Sequence, residues 1–269
     1  METGLESKIL ENFNSFAKKR SILSIVFFSD QVLISWRLPD ENVWSEVIAL
    51  PFSTSNVSVD QIHRVKKYTE AYNIGQNQAY VGIASREYAL VPNDLYSPAK
   101  KLDYLVKNIG INPLELGTVL SSPCEAINSV FVFHVPSVLD HFLNNHFPGM
   151  HLMHEKQSII SGVLAKPEAK GKFLAVNFSG KHFDIIVAEN KKLKFFNSFQ
   201  LISSEDVLYY ILFVTEKLES STRDYVIKIF GSIPDIIDKE HLLKYLPIAG
   251  DFTAEDEFFS LKKLPECGL

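Results

Sequence analysis

Cysteine is nearly absent: Cys124 and Cys267 are the two in 269 residues, far apart and in no CxxC spacing. That scarcity excludes a disulfide framework and a cysteine-based zinc module. Two free thiols in a reducing compartment are expected. Twelve glycines and twelve prolines are too few for a fibrous or low-complexity chain. Two Trp and three Met beside 20 Phe and 10 Tyr leave the core to single-ring aromatics and aliphatics. An excess of basic charge is also missing, since 27 Lys and Arg against 32 Asp and Glu give a formal net charge of -5. Nucleic acid is therefore not expected as a partner, because its phosphates need a concentrated basic surface. No long hydrophobic run occurs either. The longest strongly apolar stretch, Val207–Val214, falls far short of a membrane span, and the first twenty residues lack the apolar region of a signal peptide. A soluble, cytoplasmic chain with no membrane span is expected.

What is present is 46% hydrophobic sequence, enough to bury a sizeable core. Residues 5–19 carry Leu5, Ile9, Leu10, Phe13 and Phe16 at helical spacing. Three strand-like runs follow at 22–28, 32–38 and 43–52. A helix starts at Ser58, where Gln61 completes a capping box, with Ile62, Val65, Thr69 and Tyr72 as its buried stripe. Residues 78–84 read as a strand extended by a hairpin through Ser85-Arg86. A second helix runs from Ser97-Pro98 to Gly110. Then come a strand at 130–135, a helix capped by Ser137, a short strand at 150–154 and a helix at 156–164.

Residues 166–172, polar with one Pro and one Gly, make the best linker. Beyond them the opening pattern returns, with strands at 173–178, 183–189 and 193–201. Ser203 and Asp206 cap a helix whose Val207–Val214 core is apolar on every face, so burial all round is expected. A strand at 225–230 ending at Gly231 and a helix at 239–245 complete the order. Both parts thus read strand, strand, strand, helix, strand, helix. Val26-Phe27-Phe28-Ser29-Asp30 aligns with Val176-Asn177-Phe178-Ser179-Gly180 at an offset of 150. A duplicated α/β unit is the economical explanation.

That repeat resembles the actin-like ATPase (ribonuclease H-like) superfamily of actin, Hsp70-type chaperones, sugar kinases and pilus-assembly ATPases. Val176-Asn-Phe-Ser-Gly-Lys-His-Phe-Asp184 is similar to its second phosphate loop, normally an aliphatic, Asp, an aliphatic, three glycines, Thr, Phe and Asp. Val226-Ile-Lys-Ile-Phe-Gly231 is similar to its adenosine-contacting strand, and His154–Gly162 to its connecting segment. More closely, Val176–Glu189 with Phe195–Phe199 and Asp206–Phe213 resembles an uncharacterised bacterial family of unknown function within that superfamily. The resemblance implies two duplicated halves, each a mixed sheet flanked by helices: 1–165, a linker at 166–172, and 173–269.

The departures from the pattern bear on chemistry. Working members place a carboxylate for hydrated Mg²⁺ on the first hairpin and use glycines to bring backbone amides to the phosphates. Here Phe27 takes the carboxylate position of the first loop and Asn177 that of the second. Gly180 alone remains of three glycines, and Phe230 replaces the partner of Gly231. The degenerate nucleotide-cleft candidates are Ser29, Asp30, Asn177, Ser179, Gly180, Lys181 and Gly231, with Asp30 able to stand in as a carboxylate. No catalytic residue and no metal ligand is assigned, and no cofactor is expected, with Mg-ATP as the alternative.

Five of eight histidines lie between His134 and His154, but His151 and His154 on a strand, and His141 and His146 on a helix, point apart. Scattered, individually satisfied histidines are expected. No G-x-S-x-G, P-loop, G-x-G-x-x-G or H-E-x-x-H motif occurs. Lys191, Lys192 and Lys194 form a basic hairpin tip. The acidic stretch 251–257 with Phe252, Phe258 and Phe259 reads as a surface segment anchored by its aromatics, or else a partner-binding tail. Three functions stay open: a non-catalytic scaffold binding an unknown protein, a divergent ATP-binding ATPase or kinase, and, by fold analogy alone, a filament protein.

Overall fold

Helix α1 (Glu2–Ala17) leads into a tight antiparallel pair, β1 (Ile22–Phe27) and β2 (Gln31–Leu38). The computed structural model describes residues 2–73, 75–109, 117–248 and 252–267. Phe13 and Phe16 bury the inner stripe of α1 while Glu11, Asn12 and Asn14 stay in water, as an amphipathic helix requires. The third run, expected through 43–52, is broken into β3 (Val43–Trp44) and β4 (Ile48–Pro51), both paired with β2. Ser45 breaks it. Its hydroxyl accepts from the Trp36 N–H at 2.9 Å and stands 3.1 Å from the Ser35 hydroxyl. A side chain thus fills the place of a ladder carbonyl, and pairing resumes only at Ile48.

Helix α2 (Val59–Thr69) starts on the expected capping box: Ser58 Oγ accepts from the Gln61 N–H, and Gln61 Oε1 from the Ser58 N–H. Strand β5 (Gln78–Ile83) returns parallel to β1. The hairpin expected at Ser85-Arg86 does not form. Instead β6 (Tyr88–Pro92) leaves for a separate sheet, and after a 3-10 turn at Pro98–Lys100 comes α3 (Lys101–Ile109). The expected stop at Gly110 lies outside the described residues. Strands β7 (Thr118–Cys124) and β8 (Ser129–Val135) complete that sheet in the order β6-β8-β7. Non-local pairing overrides the local turn signal here, because β8 offers β6 the apolar run Val130–Phe133 as a partner.

Helix α4 (Ser137–His146) has Ser137 as its first helical residue, not its cap; Pro136 holds the cap position without a side-chain bond. Strand β9 (His151–His154) lies parallel to β5, giving the order β3-β2-β1-β5-β9 with β4 also on β2. Helix α5 (Glu155–Ala165) follows. Residues 166–172 contain one 3-10 turn, Pro167–Lys170. Lys228 ties that turn down, bonding Glu168 Oε1 at 2.6 Å and also pairing with Glu255.

Strands β10 (Lys172–Ser179), β11 (His182–Glu189) and β12 (Lys192–Gln200) form a meander. Helix α6 (Ser204–Lys217) begins on the Ser203–Asp206 capping box, and β13 (Val226–Gly231) returns parallel to β10. The order is β12-β11-β10-β13, the same run of meander, helix and parallel return as β1 to β5. Short helices α7 (Lys239–Leu243) and α8 (Phe259–Lys263) close the chain. Leu174, Val176, Phe178, Ile185 and Val187 pack against Val207, Ile211 and Val214 of α6. The expectation that α6 is buried all round is corrected: Tyr209 is 60%, Leu212 44% and Phe213 39% exposed. A helix on one face of one sheet has a single inner stripe, whatever its composition.

The chain divides into two compact units, Met1–Ser158 with Leu261–Leu269, and Ile159–Ser260. Among the described residues, no helix is long and apolar enough to cross a membrane.

Candidate functional site

The β1–β2 turn places Ser29 and Asp30 in water. The Phe28 N–H donates to the Gln31 carbonyl at 2.8 Å, and the Asp30 carbonyl accepts from the Phe52 N–H at 3.1 Å. Phe27, at the position read for a carboxylate, is fully buried with its ring edge-on to Phe52 at 5.0 Å.

The β10–β11 hairpin belongs to the other unit and brings four candidates together: Asn177, Ser179, Gly180 and Lys181. Gly180 and Lys181 form the exposed turn, Gly180 at φ +58, and the Lys181 carbonyl accepts from the Leu201 N–H at 2.8 Å. Asn177 faces away from that turn's solvent. It is 2% exposed, and its Nδ2 donates to Asp184 Oδ2 at 3.1 Å, directly opposite in register. Ser198 Oγ donates to the other Asp184 oxygen at 2.5 Å. Three strands thus share one buried polar network, and the Asn177 amide is engaged inside it.

Gly231 pairs with Phe178 at the same end of the sheet. At φ +79 its missing Cβ would fall 2.0 Å from the Phe178 carbonyl oxygen, so only glycine fits. Its N–H donates to the Asp256 carbonyl at 3.0 Å. Next to it, Phe230 is fully buried, its ring 4.3 Å from Phe259, with Lys166 Nζ 5.1 Å above its face. Phe252 and Phe259 of the acidic stretch are also buried.

One polar run, read from the sequence only as similar to a connecting segment, is a buried cluster. His154, Glu155, Lys156, Gln157 and Ser158 are all buried in succession. Burial pushes His154 down to about 3, and its contact with the Ser85 carbonyl only partly opposes this. Nε2 donates to that carbonyl at 3.0 Å, Nδ1 accepts from the Lys156 N–H at 3.2 Å, and the ring stacks on Phe131 at 5.0 Å. The imidazole is therefore neutral with its proton on Nε2. Five polar residues wedged between apolar runs were the available signal. Among the described residues, no three His, Cys, Asp or Glu side chains gather in a way that could hold a metal ion.

Two sheets built as meander, helix and parallel return, each with its hairpin at one end, define an actin-like ATPase fold. A Bacteroides thetaiotaomicron protein described as having that fold and unknown function superposes with a TM-score of 0.71 at 21% identity, covering 86% of this chain and 90% of its own. A chain of the PilM–PilN type IV pilus biogenesis complex matches with a TM-score of 0.53 at 11% identity, over 90% and 97%. No curated protein matches. Residues 10–246 match the family described as "Protein of unknown function (DUF3822)", and the chain belongs to that family.

Proposed function

We propose that this chain is a protein-binding scaffold that retains the actin-like fold without hydrolysing ATP. The observation that carries the reading is the state of the two carboxylate positions. Phe27 is a buried ring, and Asn177 is held by Asp184 inside the sheet. Neither supplies the negative charge that a hydrated Mg²⁺ needs. A duplicated α/β unit, a reducing cytoplasmic setting for Cys124 and Cys267, and function without a cofactor belong to the same reading. The neighbour from the PilM–PilN complex offers a precedent of this fold assembled with another protein. A second reading, nucleotide binding, draws on the exposed Gly180-Lys181 turn and on exposed Asp30.

A thermal melt with and without Mg-ATP separates the two, since a ligand that binds only the native state raises the midpoint. The scaffold reading expects an unchanged midpoint. A saturable rise that Gly180→Asp abolishes overturns it.

A further inference from the structure

We propose that the outer edge of β12 docks an extended segment of another protein, which joins the sheet as an added strand. The segment is apolar along its middle and acidic where it meets the β11–β12 turn. This rests on the protein-binding reading above and names its surface and the chemistry of its partner.

Strand β12 is nine residues long and stands at the end of the order β12-β11-β10-β13; among the described residues β11 is its one strand partner. Exposed edges are ordinarily blunted by proline, charge or shortness. From Phe195 to Gln200 the sequence Phe-Phe-Asn-Ser-Phe-Gln has neither proline nor charge. The Ser198 N–H turns to its neighbour Asn197 Oδ1 at 3.0 Å instead of to β11. It therefore lies on the outer edge, and strand alternation puts Phe196 and Gln200 there too. An incoming carbonyl can replace that exposed local bond.

An added strand would also lie beside an aromatic ladder. Phe195 and Phe199 are 6.5 Å apart, Phe199 stacks on Tyr210 at 4.0 Å, Tyr210 meets Tyr209 at 5.1 Å, and Tyr209 stacks on Phe213 at 6.0 Å. The ladder begins half-buried against the sheet and ends in water at Tyr209 and Phe213. Exposed aromatics of this kind are the residues enriched in protein interfaces.

Charge selects the occupant. Lys191, Lys192 and Lys194 crowd the turn with one acid, Glu189, which pairs with Lys194 at 3.5 Å. At the other end of β12, Lys181 is exposed; Asp206 there accepts from the Ile202 and Ser203 N–H groups, and Glu205 is exposed beside it. A second copy pairing antiparallel would bring the lysine turn of each chain toward Lys181 of the other. Parallel pairing would set turn against turn. Like charges oppose the parallel arrangement. In the antiparallel one each lysine turn meets Lys181 together with Glu205 and Asp206, whereas an acidic end on a different protein, with no lysine beside it, is attracted more strongly.

The probe is a fluorescein-labelled peptide, Glu-Glu-Val-Phe-Val-Tyr-Val-Glu-Glu, followed by fluorescence polarisation with the full chain at low salt. Saturable binding is expected. A Lys-flanked counterpart, and the same peptide N-methylated at alternate central amides, are expected to bind at least about tenfold more weakly. The double change Lys191→Glu and Lys192→Glu, both on exposed side chains, should weaken the acidic peptide about fivefold. Phe196→Pro, which removes an outer-edge N–H, should abolish binding; because proline can also unsettle the strand, the charge pair tests the site independently. Absence of saturable binding, or equal binding of the methylated peptide, overturns the proposal. So does a concentration-dependent dimer in sedimentation that Phe196→Pro dissolves, which would assign the edge to a second copy. Failure here with an unchanged Mg-ATP melt removes this surface and leaves the scaffold reading standing. Peptide binding together with a Mg-ATP shift does the reverse.

Discussion

Asn177 and Asp184 oppose each other beside the Gly180-Lys181 turn, with Ser198 closing the far side of the carboxylate. An amide donates to a carboxylate; a second carboxylate does not. Asn177→Asp therefore creates a pair of acids in a site where neither position is more than 2% exposed. One of the two must hold a proton. The introduced acid has its folded-state pKa raised above its unfolded value of about 3.9. The cost is thus small below that pH and grows as pH rises toward the folded value. Relative to the unaltered chain, we expect a loss of ~3–5 kcal/mol at pH 7 and much less at pH 4, read from urea midpoints at both. An equal loss at the two pH values would show that the contact is not what the distance implies. This pairing was within reach of the sequence, because a two-residue turn at 180–181 sets 177 opposite 184. The need for glycine at 231 was not, since it comes from the approach of Phe178, far away along the chain.

Among the elements, what could be read locally was read. The boxes at Ser58 and Ser203 start α2 and α6 as their spacing demands, and β10, β11 and β12 follow their apolar runs. The misreadings concern choices made at a distance: β6 pairs with β8, Ser45 interrupts a strand through its hydroxyl, and α6 has an outer face. The buried start of α5 belongs with them, and it has a measurable consequence. His154 is neutral in the folded chain, with burial holding it at about 3, but an unfolded histidine titrates near ~6.5. Between those values the unfolded state binds the extra proton, so this group's stabilisation is fully present above pH 6.5 and lost as pH falls. Its share from pH 6.5 to 5 is about 1.5 kcal/mol. His146, also lowered by burial and then by Lys66, acts in the same direction. His154→Gln should be less stable at pH 7 yet flatter between pH 6.5 and 5 in urea titrations. A slope equal to that of the unaltered chain would mean that His154 is not the buried base.

At the scale of the molecule, the chain passes from one compact unit to the other and back, returning with Leu261. Leu261 and Leu264 are fully buried and Pro265 is buried beside them. Leu264 lies directly over β5 at Gly82, where an added Cβ would stand 3.1 Å from its Cδ2. The absent side chain at Gly82 and the leucine above it form one contact, so the last turn of the chain is part of the first unit's core. Removing residues 261–269 should strip two buried leucines from the first unit, Leu264 among them from over β5, each worth ~2–5 kcal/mol on truncation. Both tryptophans, Trp36 in β2 and Trp44 in β3, lie in this unit, so their fluorescence follows it without contribution from the other. We expect a chain ending at Ser260 to lose its tryptophan transition at markedly lower urea. Leu264→Ala should give a smaller shift in the same direction and covers the case in which the shortened chain does not fold. An unmoved tryptophan midpoint in both would mean that the first unit's sheet is complete without its returning segment, against the burial of Leu261 and Leu264.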